Sequence, residues 1–508
     1  MQVSVGESDV LLVRRDDAYS AFHAYCSHYG APLAGGALSG NRIICPWHHA
    51  CFHAATGRQL EPPGLDALQA YEVRLDGDDV IVRVPSEATG HRVVEMSGRD
   101  GSDERTFVVL GGGAAGQYAL EALREKGFAG RLVMVTREAE TPYDRPNCSK
   151  EYLQGEAPEA WMFLRDAAFY DGIDVERMHD RTVVELDAQG RTLTFHDGET
   201  LAFDGIVICT GGTPRTLNVD GAELEGIHLL RSYGDAKAIL AEGRGASNAV
   251  VVGGSFIGME VAWSLKELGV DEVTVVDPED VPFARAFGER VGRMVHSIHE
   301  ENGVRFMLGR TVESFRGADR VERVVVEDGV EIDADLVVVG IGVRPATGFI
   351  KGLELADDGA VVVDSYLRAA ENIYAAGDIA QFPDWRHGGR VRIEHWRLAC
   401  QHGRIAGYNL AGDETPYRSV PYFWTAHFGT SIRYVGHAAE WDEIVYDGRP
   451  EDRTFIAFYL RDEEVVAAAG SGRDKDMAAI EELMRRQMVP RVEELRAGGI
   501  DYPARLKM

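Results

Sequence analysis

Four residues near the start of the chain have the types and the spacing of a ligand set. Cys26-Ser-His28 is followed sixteen residues later by Cys45-Pro-Trp-His48. Two thiols and two imidazoles on two short loops can close on one site, as ligands of a structural zinc or of a two-iron, two-sulfide cluster. Zinc sites more often space their ligands Cys-x-x-Cys and His-x3-His. A second set of residues suits phosphate rather than metal. Gly111-x-Gly113-x-x-Gly116 follows the apolar run FVVL, and Gly253-Gly-Ser255-x-x-Gly258 follows AVVV. Glycines at such a turn let backbone N–H groups and a helix N-terminus approach a dinucleotide pyrophosphate. Nineteen residues past Gly258, Asp277 ends the run EVTVVD, where an acid binds a ribose 2′-hydroxyl and repels a 2′-phosphate, favouring NADH over NADPH. The corresponding stretch of the first copy reads Thr136-Arg137-Glu138, so Glu138 or backbone groups hold that ribose.

The elements that must carry these residues can be read from the pattern. Residues 1–90 show short alternating runs with an Asp-Gly hairpin signal at 76–77, an all-β module. The polar, glycine-broken stretch from Ser86 onward makes 91–104 a linker. Extended from Ser86 to Glu104 it reaches roughly 60 Å, leaving the module free to move. From 105 the texture becomes strand, glycine turn, helix, repeated after about 140 residues, with GIVICTGG (205–212) and LVVVGIG (336–342) closing the two units. Strands return from about 419 (SIRYVG, TFIAFYL, EVVAAAG), followed by a helix from Met477. Over 508 residues, 82 acids against 53 bases give a net charge of -29, which disfavours nucleic acid and anionic membrane as partners. The sequence has no apolar run long enough to span a bilayer and no secretory start, so a cytoplasmic protein is expected. Six cysteines are too few for a disulfide scaffold and read as reduced thiols or ligands.

The order Cys-x-His then Cys-x-x-His resembles the Rieske [2Fe–2S] pattern, in which one iron takes both thiolates and the other both imidazoles. Pro62-Pro-Gly-Leu65 is similar to the proline loop that covers such a cluster. Ala31 and Trp47 stand where the high-potential subclass carries a bridging cysteine pair, which implies no disulfide and a potential near the low end of the Rieske range. His49 departs from the glycine usual at its place, offering either strain or a second titrating group, and Cys51 reads as a buried thiol. Thr141-Pro-Tyr-Asp-Arg-Pro-Asn-Cys-Ser-Lys150, Ala376-Gly-Asp378 and Glu394-His-Trp396 resemble the FAD-dependent ferredoxin reductases of aromatic dioxygenase systems. Phe283-x-Arg-x-Phe287 and Pro421-Tyr-Phe-Trp-Thr-Ala-His-Phe-Gly429, with the fused cluster module, are similar to apoptosis-inducing-factor-like proteins.

That resemblance implies a multidomain α/β protein: an N-terminal all-β Rieske domain, a glutathione-reductase-like fold with two Rossmann units, and a C-terminal α/β domain. The division would be 1–90 for the cluster, 105–225 and 346–418 for FAD, 226–345 for NAD, and 419–508. It implies FAD contacts at Gly111, Gly113, Ala115, Arg145, Lys150, Val183, Thr210, Gly211, Arg231, Asp378 and Trp396. Arg145 would neutralise the pyrophosphate and Asp378 accept from ribityl hydroxyls. Lys150, one of only seven lysines, would sit beside flavin N5 and pair with Glu260. Cys148 replaces the family's usual leucine. The expected activity is electron transfer from NADH through FAD to the cluster, then to an external oxygenase, cytochrome or ferredoxin, by a monomer or homodimer. Two alternatives are a thiol or peroxide reductase using Cys148 and an NADH-sensing interaction protein. An oxygenase iron held by Glu394, His395 and His402 is rejected on spacing.

Overall fold

The structure, a computed structural model, describes residues 1–87 and 89–507; Ala88, just before the expected linker, and Met508 lie outside the described residues. Antiparallel pairing builds the first module from two sheets. One runs Gln2–Val5, Ser8–Arg15, Ala18–His23, Ala70–Asp76, Asp79–Arg83, and the other Ala37–Ser39, Arg42–Ile44, Cys51–His53, Gln59–Glu61. Inward positions such as Leu11, Val13, Phe22, Ile43 and Phe52 close a small core beneath the two ligand loops.

The first glycine turn leaves a six-stranded sheet ordered Val175–Met178, Arg131–Val135, Thr106–Leu110, Gly205–Ile208, Ile373–Ala375, Arg368–Ala370. Its first five strands are parallel, and the inner ones are mostly apolar because the sheet packs against the helices Ala114–Glu125 and Trp396–Leu410 and shares its core with Leu186, Leu193 and Leu201 of a neighbouring antiparallel sheet. Ile373–Ala375 comes from beyond the second turn, so the second unit is an insertion in the first. That unit is a five-stranded parallel sheet, Ile227–Leu229, Leu336–Val339, Asn248–Val252, Glu272–Asp277, Val304–Leu308. Gly111 and Gly253 adopt φ of 122° and 112°, and a side chain on either would meet a carbonyl of the neighbouring strand's end. The C-terminal domain is a five-stranded antiparallel sheet backed by the helix Asp474–Arg485.

The free linker expected from composition is not what the fold contains. His91–Arg92 pairs with Ala67–Leu68, Ser97 N–H donates to the Arg124 carbonyl (3.0 Å), and Arg99 N–H donates to Asp174 Oδ2 (2.9 Å). The segment is strapped along the first Rossmann unit, and the cluster module is docked on both other domains. Polar residues read as solvent-loving in isolation, but here their partners lie far away in sequence.

Candidate functional site

The two ligand loops are built alike. Cys26 N–H donates to Ala31 O and Cys45 N–H to Ala50 O, each 2.9 Å and each five residues on. Each loop turns through a left-handed residue four places after its cysteine: Gly30 (φ 70°) in one, His49 (φ 55°) in the other. The closed loops bring His28 Nδ1 to 3.0 Å from His48 Nδ1. The Cys26 and Cys45 side chains face each other, their contact pushing the Cys26 thiol up. Among the described residues no three such donors converge on a single ion. The four are sorted instead as a thiol pair and an imidazole pair, the arrangement a two-iron cluster needs. Burial pushes the His48 imidazole well below its ordinary value, so it stands neutral with a lone pair to give. The loop Pro62–Leu65 lies against the first ligand loop, with Ser27 Oγ donating to the Asp66 carbonyl (2.8 Å) and no room for a side chain on Gly64.

His49 accounts for itself through the other domains. Its side chain is fully buried, hydrogen-bonded to Glu481 and lying 4.1 Å from the Tyr422 ring centroid. Its carbonyl accepts from Arg397 Nη2 (2.9 Å). Arg397, 1% exposed, also donates to the Pro62 carbonyl (2.9 Å), Glu481 Oε1 (2.8 Å) and Glu61 Oε2 (3.1 Å). Arg42 pairs with Glu61 and with Glu482. One buried ionic knot therefore ties the second ligand loop and the proline loop to the reductase and the C-terminal helix.

Beside this junction lies a cavity of about 860 Å³. Gly111, Gly113, Ala115, Arg145, Lys150, Val183, Thr210, Gly211, Arg231, Asp378 and Trp396 all line it, with Glu138, Ser255 and Glu260. Gly116, Gly253, Gly258 and Asp277 do not; Gly116 and Gly258 seat their helices where an added Cβ would overlap the turn's own carbonyl. Asp277 accepts from the N–H groups of Gly254 and Glu279 at the second turn. Lys150 Nζ donates to Glu260 Oε2 at 2.5 Å. Arg231 pairs with Asp378 (3.1 Å), and Arg145 with Glu138 (2.9 Å). Although burial opposes it, Arg145 and the Tyr143 hydroxyl hold the Glu138 carboxyl below its ordinary value. The size of this cavity, its glycine turn and its cationic wall fit FAD.

Sequence reading missed the residues between cavity and ligand loops. Trp424 lines the cavity and its ring centroid lies 4.3 Å from that of His48. Tyr29 Oη donates to Asp144 Oδ2 (2.6 Å), joining the first ligand loop to the segment ending at Lys150. Trp424 and Asp144 sit inside quoted motifs, but nothing local marks them as contacts. Trp396 lines the cavity without such a contact to a ligand. Cys148 is buried and its thiol is pushed up to about 12, so it lacks the thiolate a reductase would need. Glu394 pairs with Arg392, His395 lies against Phe423, and His402 Nδ1 accepts from Gly377 N–H (3.4 Å); they form no common site.

A docked two-loop cluster module and two glycine-turn units around one large cavity define an electron-transfer flavoprotein. Residues 1–72 match the Rieske [2Fe-2S] domain, 105–403 the pyridine nucleotide-disulphide oxidoreductase family, and 422–502 the reductase C-terminal domain. The chain belongs to the pyridine nucleotide-disulphide oxidoreductases, as a ferredoxin-reductase-type protein fused to a Rieske domain. It is 37% identical over 495 residues to apoptosis-inducing factor 3 of Homo sapiens, covering 95% of this chain and 81% of that one. It is 33% identical over 393 residues to the ferredoxin--NAD(+) reductase component of an anthranilate 1,2-dioxygenase system from Burkholderia cepacia, covering 77% and 96%. The covalent putidaredoxin reductase–putidaredoxin complex superposes with a TM-score of 0.75 at 26% identity, covering 79% of this chain and 98% of that one. No described helix is long and apolar enough to cross a membrane.

Proposed function

We propose that the protein carries electrons from NADH through FAD to its own cluster and on to an external one-electron acceptor. When bound, the flavin accepts a hydride from the nicotinamide and the cluster accepts electrons singly. The chain's residues divide the remaining work. The Gly111–Gly113 turn and Arg145 hold the pyrophosphate, Glu138 or backbone groups the adenosine ribose, and Asp378 the ribityl hydroxyls. Lys150 places positive charge on the ring's side of the cavity and Glu260 fixes its position. Ser255 and the second turn receive NADH, with Asp277 against its ribose. Cys26, Cys45, His28 and His48 hold the cluster.

The observation that carries this reading is Trp424, whose indole forms part of the cavity wall and also lies against His48. The division of the chain at 90, 104, 225, 345 and 418 goes with it, as does a cytoplasmic setting that suits six cysteines joined by no disulfide. The test is anaerobic titration with NADH followed by visible absorption and EPR, on the wild type and on His48→Ala. The wild type should bleach its flavin and reduce its cluster. His48→Ala should lose the cluster signal yet still reduce ferricyanide. Loss of both activities together would overturn the order of transfer.

A further inference from the structure

At the first ligand loop the reductase domain sets an acid against a metal ligand. His28 Nδ1 and His48 Nδ1 lie 3.0 Å apart, so both rings turn Nδ1 toward a shared metal position and Nε2 away from it. An imidazole that gives its Nδ1 lone pair to iron carries its hydrogen on Nε2. His28 Nε2 lies 3.8 Å from Asp144 Oδ2, an ion-pair distance rather than a hydrogen bond. His48 turns its ring to Trp424 instead. The two imidazoles therefore meet different surroundings, a carboxylate for one and the cavity wall for the other.

Asp144 is fixed through its backbone. Its N–H donates to the Met162 carbonyl (2.7 Å), and its own carbonyl accepts from Asn147 N–H (3.3 Å) where the short helix Arg145–Ser149 begins. The residue is 5% exposed. Its Oδ2 accepts from Tyr29 Oη (2.6 Å), and the Tyr29 ring centroid lies 4.2 Å from that of His28. Burial, and after it the Asp144 carboxylate, push the Tyr29 hydroxyl up, so it stays a donor. Oδ1 is buried and has no hydrogen-bond partner among the described residues. A carboxylate offers about four lone-pair positions, and leaving one of its buried oxygens without a donor is costly. His28 Nε2–H is an unspent donor beside it.

We propose that Asp144 is the carboxylate that receives the Nε2–H of iron-bound His28, so that the reductase domain sets the potential of the cluster docked on it. The assignment rests on the four ligands holding the cluster and is independent of where its electrons come from. Metal-bound histidines donate their second ring nitrogen to a carboxylate, a carbonyl or water, which fixes the ring and makes it a stronger ligand. Here that acceptor comes from a different domain. One-electron reduction adds a negative charge at the ligand loops. The Asp144 carboxylate opposes that charge, and a more basic His28 favours the oxidised iron. Both effects lower the potential, which favours passing the electron on to an external acceptor. Asp144 is thus a positioning residue that acts through His28, and Tyr29 holds its Oδ2 in place.

Equilibrium redox titration of the holoprotein with dithionite and mediators, followed by EPR of the reduced cluster, tests it. Asp144→Asn keeps the shape of the side chain and still accepts from Tyr29, and Asp144→Ser removes the carboxylate with a smaller group. Each should favour reduction about tenfold, a rise in midpoint of about 59 mV for one electron, with a change in the EPR g values. Either variant suffices if the other loses its cluster. Asp144→Glu should return the midpoint toward the wild-type value. Tyr29→Phe, which leaves the carboxylate in place, should move it by a clearly smaller amount. A wild-type midpoint in a carboxylate-free variant, or a shift in Tyr29→Phe as large as in Asp144→Asn, would overturn the assignment. NADH takes no part in this titration. A wild type whose cluster accepts electrons from dithionite but never from NADH would instead sink the proposed electron route, and the midpoints would still decide the role of Asp144.

Discussion

Each ligand loop requires a left-handed residue four places after its cysteine, and the two loops meet that need differently. Gly30 adopts the conformation freely, whereas His49 bears a cost of about 1–2 kcal/mol for its Cβ. Against that stand its hydrogen bond to Glu481 and its contact with Tyr422. A hydrogen bond to a charged group contributes roughly 1.5–3 kcal/mol, and the ring contact adds about 0.5–1.5 kcal/mol. His49→Gly should therefore destabilise the protein by about 1–2 kcal/mol despite relieving strain, a shift measurable by urea unfolding of the reduced and oxidised holoprotein. A more stable variant would mean that the interdomain contacts contribute less than the backbone strain costs. The departure at this position was visible in the sequence, and so was the pattern of two cysteines and two histidines, because it is set by local spacing. Glu481, 432 residues away, carried no local mark, and neither did Trp424 as a neighbour of His48.

The helix Trp396–Leu410 joins the two halves of the site through consecutive residues. Trp396 faces the cavity and Arg397 the junction. Removing one partner of a buried charge cluster costs about 3–5 kcal/mol, since the remaining charges stay desolvated. Arg397→Met should loosen the cluster module from the reductase. Hydrogen exchange should rise in the Cys45–His49 and Pro62–Leu65 loops, and NADH-driven cluster reduction should slow while ferricyanide reduction persists. Protection unchanged in both loops would show that docking rests on other contacts. Elements of this kind were largely readable: the glycine turns, their strands and the C-terminal helix follow from short patterns of apolar and small residues. The linker was misread for the same reason. Its polar composition is a local property, while its anchoring at Arg124 and Asp174 depends on partners that only the fold brings near.

The cluster module is tied to its neighbours partly by buried charges, and that makes its docking depend on pH in a definite direction. Glu61 is buried, which alone would raise its carboxyl, yet Arg42 and Arg397 hold it at about 2 against an ordinary value of 4.5. A folded value below the unfolded one stabilises the folded state fully above pH 4.5, and the contribution fades as pH falls from 4.5 toward 2. The difference corresponds to about 3 kcal/mol. Acid should thus weaken the docked arrangement in that window, read as rising protease sensitivity of the 89–104 segment or as loss of cluster protection. Glu61→Gln should be less stable at neutral pH, with two arginines short of a countercharge. The same substitution should also flatten the pH dependence between 4.5 and 2 by the share that Glu61 carries. If the acid profile of the Glu61→Gln protein ran parallel to that of the wild type, the sensitivity would lie elsewhere, among the carboxylates outside this junction.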